Sequence, residues 1–421
     1  MNERLELVGK GAARIDGLWV FFADTESAAG LRREGFRSTS EAAAPRDLGR
    51  DAVAGSRNGE QVPESEKLML IQLEQRPRYA LLEGRTPIQR LERLERAIGR
   101  SGGPGIYVKR DDLMGLGGGG NKLRKLEFLI GDALAQGCDT FITIGARQSN
   151  HARLSAAAAA RAGMTCELVL SDTVARDDEA YQRNGNVLLD DLFGATIHRE
   201  PGDADVLMVA QERGADLLTA GRHPYVVGSG GSSPVGCLGY AACAFEIVGQ
   251  ERELGFSFDR IVVPNGSSGT HAGLVAGFKA LGNEASRVTS FTVLAPLEKA
   301  AETARQLATD TLALLDPEQV LHDGDIMVLG DQLGEGYGVP TAEMFEAVRL
   351  LARSEGLLLD PVYGGKAFAG LLAGLRSGAW DRGPVLFVMT GGVPGLFAYE
   401  PAFRSDQELW GRSRVIDAPG I

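Results

Sequence analysis

Between Gly117 and His151 the chain admits few architectures. Four consecutive glycines, Gly117 to Gly120, lead into Asn121 and Lys122. Glycine takes positive φ without steric penalty, so such a run turns backbone amides toward a ligand and leaves Lys122 at the mouth of a pocket. Leu123, Leu126, Ile130 and Leu134 then recur at helical spacing, and Cys138 to Gly145 reads as a short buried strand. Gln148-Ser149-Asn150 stands where the next helix begins, and the alanines from 156 to 160 support that helix. A helix N-terminus offers unpaired N–H groups to an anion. One βα unit therefore gathers a lysine, a serine hydroxyl and an anion site.

The same alternation continues. Gly131 to Leu170 reads as helix, strand, helix and strand, which demands a parallel crossover. Helices over Asn186 to Phe193 and Ala204 to Arg213 alternate with strands over Ala195 to Arg199 and Pro224 to Val227. The break from Gly228 to Pro234 marks a domain crossing. Beyond it come a helix from Val235 to Gly249 and strands at Phe258 to Pro264, Val288 to Leu294, Asp325 to Leu329, Leu357 to Asp360 and Pro384 to Met389. Upstream, Ile106 to Leu113 is a strand leading into the glycine loop.

The expected fold is α/β in two domains, each an open, mostly parallel sheet flanked by helices. A small domain over residues 124–232 is inserted into a large one built from 69–123 and 233–421, with the ligand in the cleft between them. Residues 1–68 are expected to be an unstructured extension. From Thr25 to Lys67 there is one aromatic residue and no isoleucine, too little apolar surface to offset ordering entropy. A start site assigned too far upstream and a loosely docked leader both fit that texture.

With 421 residues and 44% hydrophobic content, two cores can be filled. The net charge of −12 argues against nucleic acid or an anionic membrane as the main partner and favours small-molecule chemistry. The four cysteines form no Cys-x-x-Cys pair, so neither a metal site nor a redox dithiol is expected, and reduced thiols suit a cytoplasmic protein. No apolar run approaches the roughly 20 residues needed to span a bilayer. Leu18 to Ala23 is short, flanked by Asp16 and Asp24, and lacks a basic leader.

Strand Phe258 to Pro264 runs into Gly266, Ser267, Ser268, Gly269 and Thr270, a phosphate cradle of small and hydroxyl-bearing residues before a helix. Its spacing matches neither the Walker pattern nor the dinucleotide fingerprint, which favours a small phosphorylated cofactor. Thr390-Gly391-Gly392 ends a strand and delivers a hydroxyl to a site at strand C-termini. A lysine on one glycine loop and a phosphate cradle on another suggest a Schiff base between Lys122 and pyridoxal 5'-phosphate. Lys125, one turn on, is either an exposed helix lysine or a phosphate contact. Ser149 can cap its helix and still serve the site. His198, His223 and His322 read as surface or structural residues, and the rings of His151 and His271 as packing.

Gly119-Gly120-Asn121-Lys122 with Arg124-Lys125-Leu126-Glu127, the Gln148 to His151 tetrad, Asp360-Pro-Val-Tyr363, and Thr390-Gly-Gly-x-Pro-Gly-Leu-Phe397 together resemble the D-cysteine desulfhydrase and 1-aminocyclopropane-1-carboxylate deaminase family. The likeness runs from about residue 83 to Tyr399. It implies the two-domain fold type II of pyridoxal phosphate enzymes, similar to the tryptophan synthase β subunit, a small amino-acid substrate and a homodimer. It implies that Lys122 holds the cofactor and moves the Cα proton, that Asn150 bonds the cofactor's phenolic oxygen, and that Ser149 meets the substrate carboxylate or assists proton transfer. Tyr337 and Tyr363 would line the substrate side. Gly364 follows that tyrosine where the ring-opening deaminases carry glutamate, and Thr390 stands where they tend to have leucine, so ring opening is disfavoured. Met389 departs from the histidine usual before that threonine.

The resemblance implies β-elimination from D-cysteine, with L-cysteate, losing sulfite, as the alternative substrate. A non-catalytic cofactor-binding protein is a further rival, against which the intact Ser149, Tyr337 and Tyr363 speak. A serine hydrolase is disfavoured because Gly-x-Ser-x-Gly is missing and Lys122 would have no role.

Overall fold

The computed structural model describes residues 63–404 and three short strands nearer the N-terminus, Glu6–Leu7, Ala12–Ile15 and Leu18–Phe21. Those three pair antiparallel as a sheet of their own. The remainder of the extension expected to be unstructured, up to residue 62, lies outside the described residues. Its last part differs from expectation, because helix α1 (Glu64–Glu74) starts there and buries Met69 and Leu73 in the core. Pro63 precedes it and Glu64 and Glu66 occupy its first turn, all favourable at a helix N-terminus.

Two sheets carry the rest. The larger has six strands: β1 (Ile88–Arg90), β2 (Ile106–Lys109), β7 (Arg260–Asn265), β8 (Val288–Thr292), β9 (Met327–Leu329) and β10 (Val385–Val388). The smaller holds the four between them in sequence, β3 (Thr140–Ala146), β4 (Thr165–Ser171), β5 (Thr196–Glu200) and β6 (Pro224–Val227). The orders are β9-β8-β7-β10-β2-β1 and β5-β4-β3-β6. Every neighbouring pair is parallel except β1 with β2. Ile261, Val263, Leu386 and Val388 feed one apolar layer of the large sheet, while Val262, Val385 and Phe387 feed the other. Burial on both faces is what a parallel sheet requires, and it explains the near-continuous apolar runs in these strands.

Helices α2 (Lys122–Ala135), α3 (Asn150–Ala162), α4 (Asn186–Leu192), α5 (Pro234–Leu254), α6 (Gly269–Ala280) and α7 (Gly364–Arg376) shape the site. α5 lies between α2 and α6, and glycines set the approach. A Cβ at Gly239 of α5 would collide with the Arg124 carbonyl of α2, and one at Gly273 of α6 with the Cys237 carbonyl of α5. Beneath α2, buried Arg124 bonds Asp111 at 2.9 Å and Glu246 at 3.0 Å, and Lys109 reaches Glu246 at 3.1 Å. Each buried charge in this group has an opposite partner, so no ion is left uncompensated.

One expected strand is corrected. Leu357 to Asp360 is irregular and pairs with no strand. The buried Asp360 carboxylate instead accepts the N–H groups of Val362, Tyr363 and Gly364 at 3.1, 2.9 and 2.7 Å, satisfying the start of α7. An aspartate spent on a helix N-terminus turns the chain out of the sheet direction.

Candidate active site

Both sheets reverse their strand order beside the same cavity. In the large sheet the reversal lies between β7 and β10, and in the small one between β3 and β6. The loops after adjacent strands diverge at such a point and leave a crevice at the strand C-termini. Residues from all four following loops line a cavity of about 210 Å³: Ser149 after β3, Gly230 after β6, Ser267 after β7 and Thr390 after β10.

The glycine loop closes one wall. Gly117 to Gly120 all have positive φ, and Gly120 makes an antiparallel bridge with Gly391. The Asn121 N–H donates to the Thr390 carbonyl at 3.0 Å, which joins the two glycine segments and brings Lys122 beside Thr390. Burial first, and the charge of Lys125 second, push the Lys122 ammonium well below the ordinary lysine range. That shift favours the neutral amine, the form that acts as nucleophile or base.

The phosphate cradle forms where α6 begins. Ser268, at φ 63°, is the one non-glycine residue with positive φ among the described residues. Its hydroxyl donates to Asn265 at 3.0 Å, so only its backbone faces the cradle. Thr270 accepts from the Asn121 amide at 3.0 Å. Lys125 is fully buried, which excludes the exposed-lysine reading. Its Nζ donates to Ser232 Oγ at 2.9 Å and to the Gly230 carbonyl at 3.1 Å. Ser232 Oγ also lies 2.8 Å from Ser267 Oγ and accepts the Gly269 N–H. A Cβ at Gly269 would sit 2.6 Å from Lys125 Nζ, so only glycine leaves this corner open. Pyridoxal phosphate fits these residues: a cation, hydroxyls and a helix N-terminus meet at one corner, with Lys122 on the same cavity.

On the opposite wall Ser149 caps α3, its Oγ accepting the Ala152 N–H at 3.1 Å. That bond uses a lone pair and leaves the hydroxyl proton free for a ligand. Tyr337 and Tyr363 both line the cavity and share a hydrogen bond of 2.6 Å between their hydroxyls. Burial raises both phenols above their ordinary range, so both are protonated at neutral pH. Burial first, then Lys122 and Lys125, push the His151 imidazole well below its ordinary range, and its Nε2 pairs with Thr143 at 2.8 Å; packing was expected of this ring, which also lines the cavity. Asp360, buried behind the cavity, is raised to about 6 by burial, against the pull of its three N–H donors.

The cavity thus gathers Lys122, Ser149, Asn150, Tyr337, Tyr363, Gly266, Ser267, Ser268, Gly269, Thr270 and Thr390, while Lys125 stands behind its cradle corner. Sequence reasoning gave Asn121 no role although it stood in the motif before Lys122, and it missed Ser232, Ser171 and Thr173. Of these three only Ser232 carried a local signal, lying in the glycine- and serine-rich break from Gly228 to Pro234. Met389, one residue before Thr390, is buried in the apolar layer of the large sheet.

Comparison with known proteins agrees with this geometry. Residues 79–391 match the family model "Pyridoxal-phosphate dependent enzyme". D-cysteine desulfhydrase of Serratia proteamaculans is 43% identical over 341 residues, 78% of this chain and 98% of that protein. The D-cysteine desulfhydrase of Yersinia enterocolitica is 44% identical over 334 residues, with the same coverage. A crystal structure of an ACC deaminase homologue superposes with a TM-score of 0.71 at 37% identity, covering 80% of this chain and 98% of that one. The chain belongs to the pyridoxal-phosphate dependent enzymes of fold type II and, within them, to the D-cysteine desulfhydrase and 1-aminocyclopropane-1-carboxylate deaminase family.

Proposed function

We propose that this protein is a carbon–sulfur lyase that converts D-cysteine and water to pyruvate, hydrogen sulfide and ammonia. The observation that carries the choice of leaving group is the cavity lining. Among the described residues it contains no arginine, aspartate or glutamate, and its one lysine, Lys122, is the amine that would anchor the cofactor. A substrate with one carboxylate, received by Ser149 and the α3 N-terminus, and a small thiol suits that wall, whereas the sulfonate of L-cysteate brings a second anion with no cation in the lining to receive it. Ring opening is disfavoured for a further reason. Gly364 is buried at the start of α7, where a Cβ would meet Asp360 Oδ1 at 3.1 Å, leaving little room for a glutamate.

Bound pyridoxal phosphate supplies an electron sink for the carbon that loses its proton. Lys125, Ser232, Ser267 and the N–H groups from Gly266 to Thr270 would hold its phosphate, with Asn150 at its phenolic oxygen and Thr390 at the ring. Ser149 and the α3 N-terminus receive the substrate carboxylate. Lys122 takes the proton from Cα, the Cβ–S bond breaks, and the sulfur leaves as thiolate, protonated from the Tyr337–Tyr363 pair. The 2-aminoacrylate released adds water outside the site to give pyruvate and ammonia.

Sulfide, sulfite and pyruvate release should be compared across D-cysteine, L-cysteate and 1-aminocyclopropane-1-carboxylate. D-Cysteine is expected to be turned over fastest, and sulfite from L-cysteate at a higher kcat/KM would reverse the assignment. Lys125→Met is expected to raise the cofactor dissociation constant about 10- to 100-fold, the size of one charge-assisted hydrogen bond, in an absorbance titration. An unchanged constant would remove Lys125 from the phosphate site.

The division into a 124–232 body and a 69–123 plus 233–421 body is supported by the strands, since β3 to β6 all fall within the former. Assembly as a homodimer is supported by the family resemblance, and light scattering at the monomer mass would count against it. A cytoplasmic location is supported by the four free cysteines, and no helix among the described residues is long and apolar enough to cross a membrane.

A further inference from the structure

Gln148 belongs to the tetrad that opens α3, yet its side chain works behind the cavity. Its Nε2 donates to the carbonyls of Tyr181 at 2.6 Å and Asn184 at 2.9 Å, and its Oε1 accepts the Asn186 N–H at 2.9 Å. These bonds clamp the turn that starts α4. Asn186, the first residue of that helix, is fully buried. Its Nδ2 donates to the Gln148 main-chain carbonyl and to Asn150 Oδ1, both at 3.0 Å.

The first bond decides the second. A main-chain carbonyl only accepts, so the Asn186 atom facing it must be the amino nitrogen. The other hydrogen on that nitrogen meets Asn150, whose facing atom must then be its oxygen. The Asn150 amino group is left on the far side. There its Nδ2 lies 2.7 Å from the point a Cβ at Gly392 would occupy, next to the Thr390 edge of the cavity.

We propose that Asn186 is a positioning residue that locks the Asn150 amide with its amino group toward the cavity, so that Asn150 donates to the phenolic oxygen of the cofactor. The inference rests on the role of Asn150 given above. Without Asn186 the Asn150 amide is free to turn its oxygen toward the cofactor oxygen, where two acceptors repel. Gln148 acts one step further back by holding Asn186.

Asn186→Leu and Asn150→Ala test this in parallel with the cofactor-loaded wild-type protein. The readouts are the position of the visible absorption band, the cofactor dissociation constant, kcat and KM, and thermal unfolding of each apoprotein. Both variants are expected to move the band in the same direction. Asn186→Leu should raise the dissociation constant about 3- to 10-fold, the size of one neutral hydrogen bond, and lower kcat more than it changes KM. A shift in Asn150→Ala with a wild-type band and dissociation constant in Asn186→Leu overturns the inference alone, whatever happens to the unfolding temperature. An unshifted band in Asn150→Ala overturns the reading of Asn150 and the inference with it. If the leucine variant does not fold, Asn186→Ala, which leaves room for solvent, takes its place: a band shifted as in Asn150→Ala supports the inference, and a wild-type band and dissociation constant overturn it.

Discussion

Lys122→Ala is expected to abolish turnover while leaving the protein folded. The lysine sits at the first position of α2, where alanine is at least as good a helix former, so no loss of the helix follows. What disappears is the amine whose charged form burial disfavours beside the cradle. A positioned proton-transfer group contributes about 10²- to 10⁴-fold, and here the same atom also anchors the cofactor, so kcat should fall by about 10⁴-fold or more. Pyruvate release in a coupled assay measures it. Residual activity above about 1% of wild type, within the range left by losing a lesser group, would move the proton transfer to another residue.

Gly239→Ala should cost more stability than a methyl group ordinarily does. The added Cβ lands on the Arg124 carbonyl and lies 2.8 Å from the Lys125 nitrogen, backbone atoms of α2 that cannot rotate away. The helix must move, carrying Lys122, Lys125 and the buried Arg124 pairs with it. Overpacking of this kind costs about 1–3 kcal/mol, and weaker cofactor binding should accompany the fall in unfolding temperature. Gly249→Ala, on the same helix α5 with nothing within 4 Å of its would-be Cβ, is the control and should be neutral or stabilising by up to about 1 kcal/mol. Equal effects from the two substitutions would mean that the α2–α5 approach does not hold the site.

What was legible in the chain was local. The βα alternation, the Ser149 cap and the strand-loop-helix of Gly266 to Thr270 each need only neighbours in sequence, and the structure has all three. Local patterning also misled. Leu357 to Asp360 has the composition of a buried strand, but Asp360 is drawn to the amides of α7. Lys125 stayed ambiguous because its partners, Gly230 and Ser232, lie more than a hundred residues away and meet it only when the two sheets face each other. The Tyr337–Tyr363 bond and the Asn186–Asn150 bond were hidden for the same reason, being contacts between segments with no pattern that pairs them.

The most direct measurement is the product balance with D-cysteine, followed in one cuvette with the visible band of the cofactor-loaded protein. One sulfide and one pyruvate released per D-cysteine consumed, with a band that changes during turnover and returns afterwards, is the predicted result. A band that changes on adding D-cysteine while neither product forms would contradict the lyase assignment and leave a protein that binds its amino acid without cleaving it.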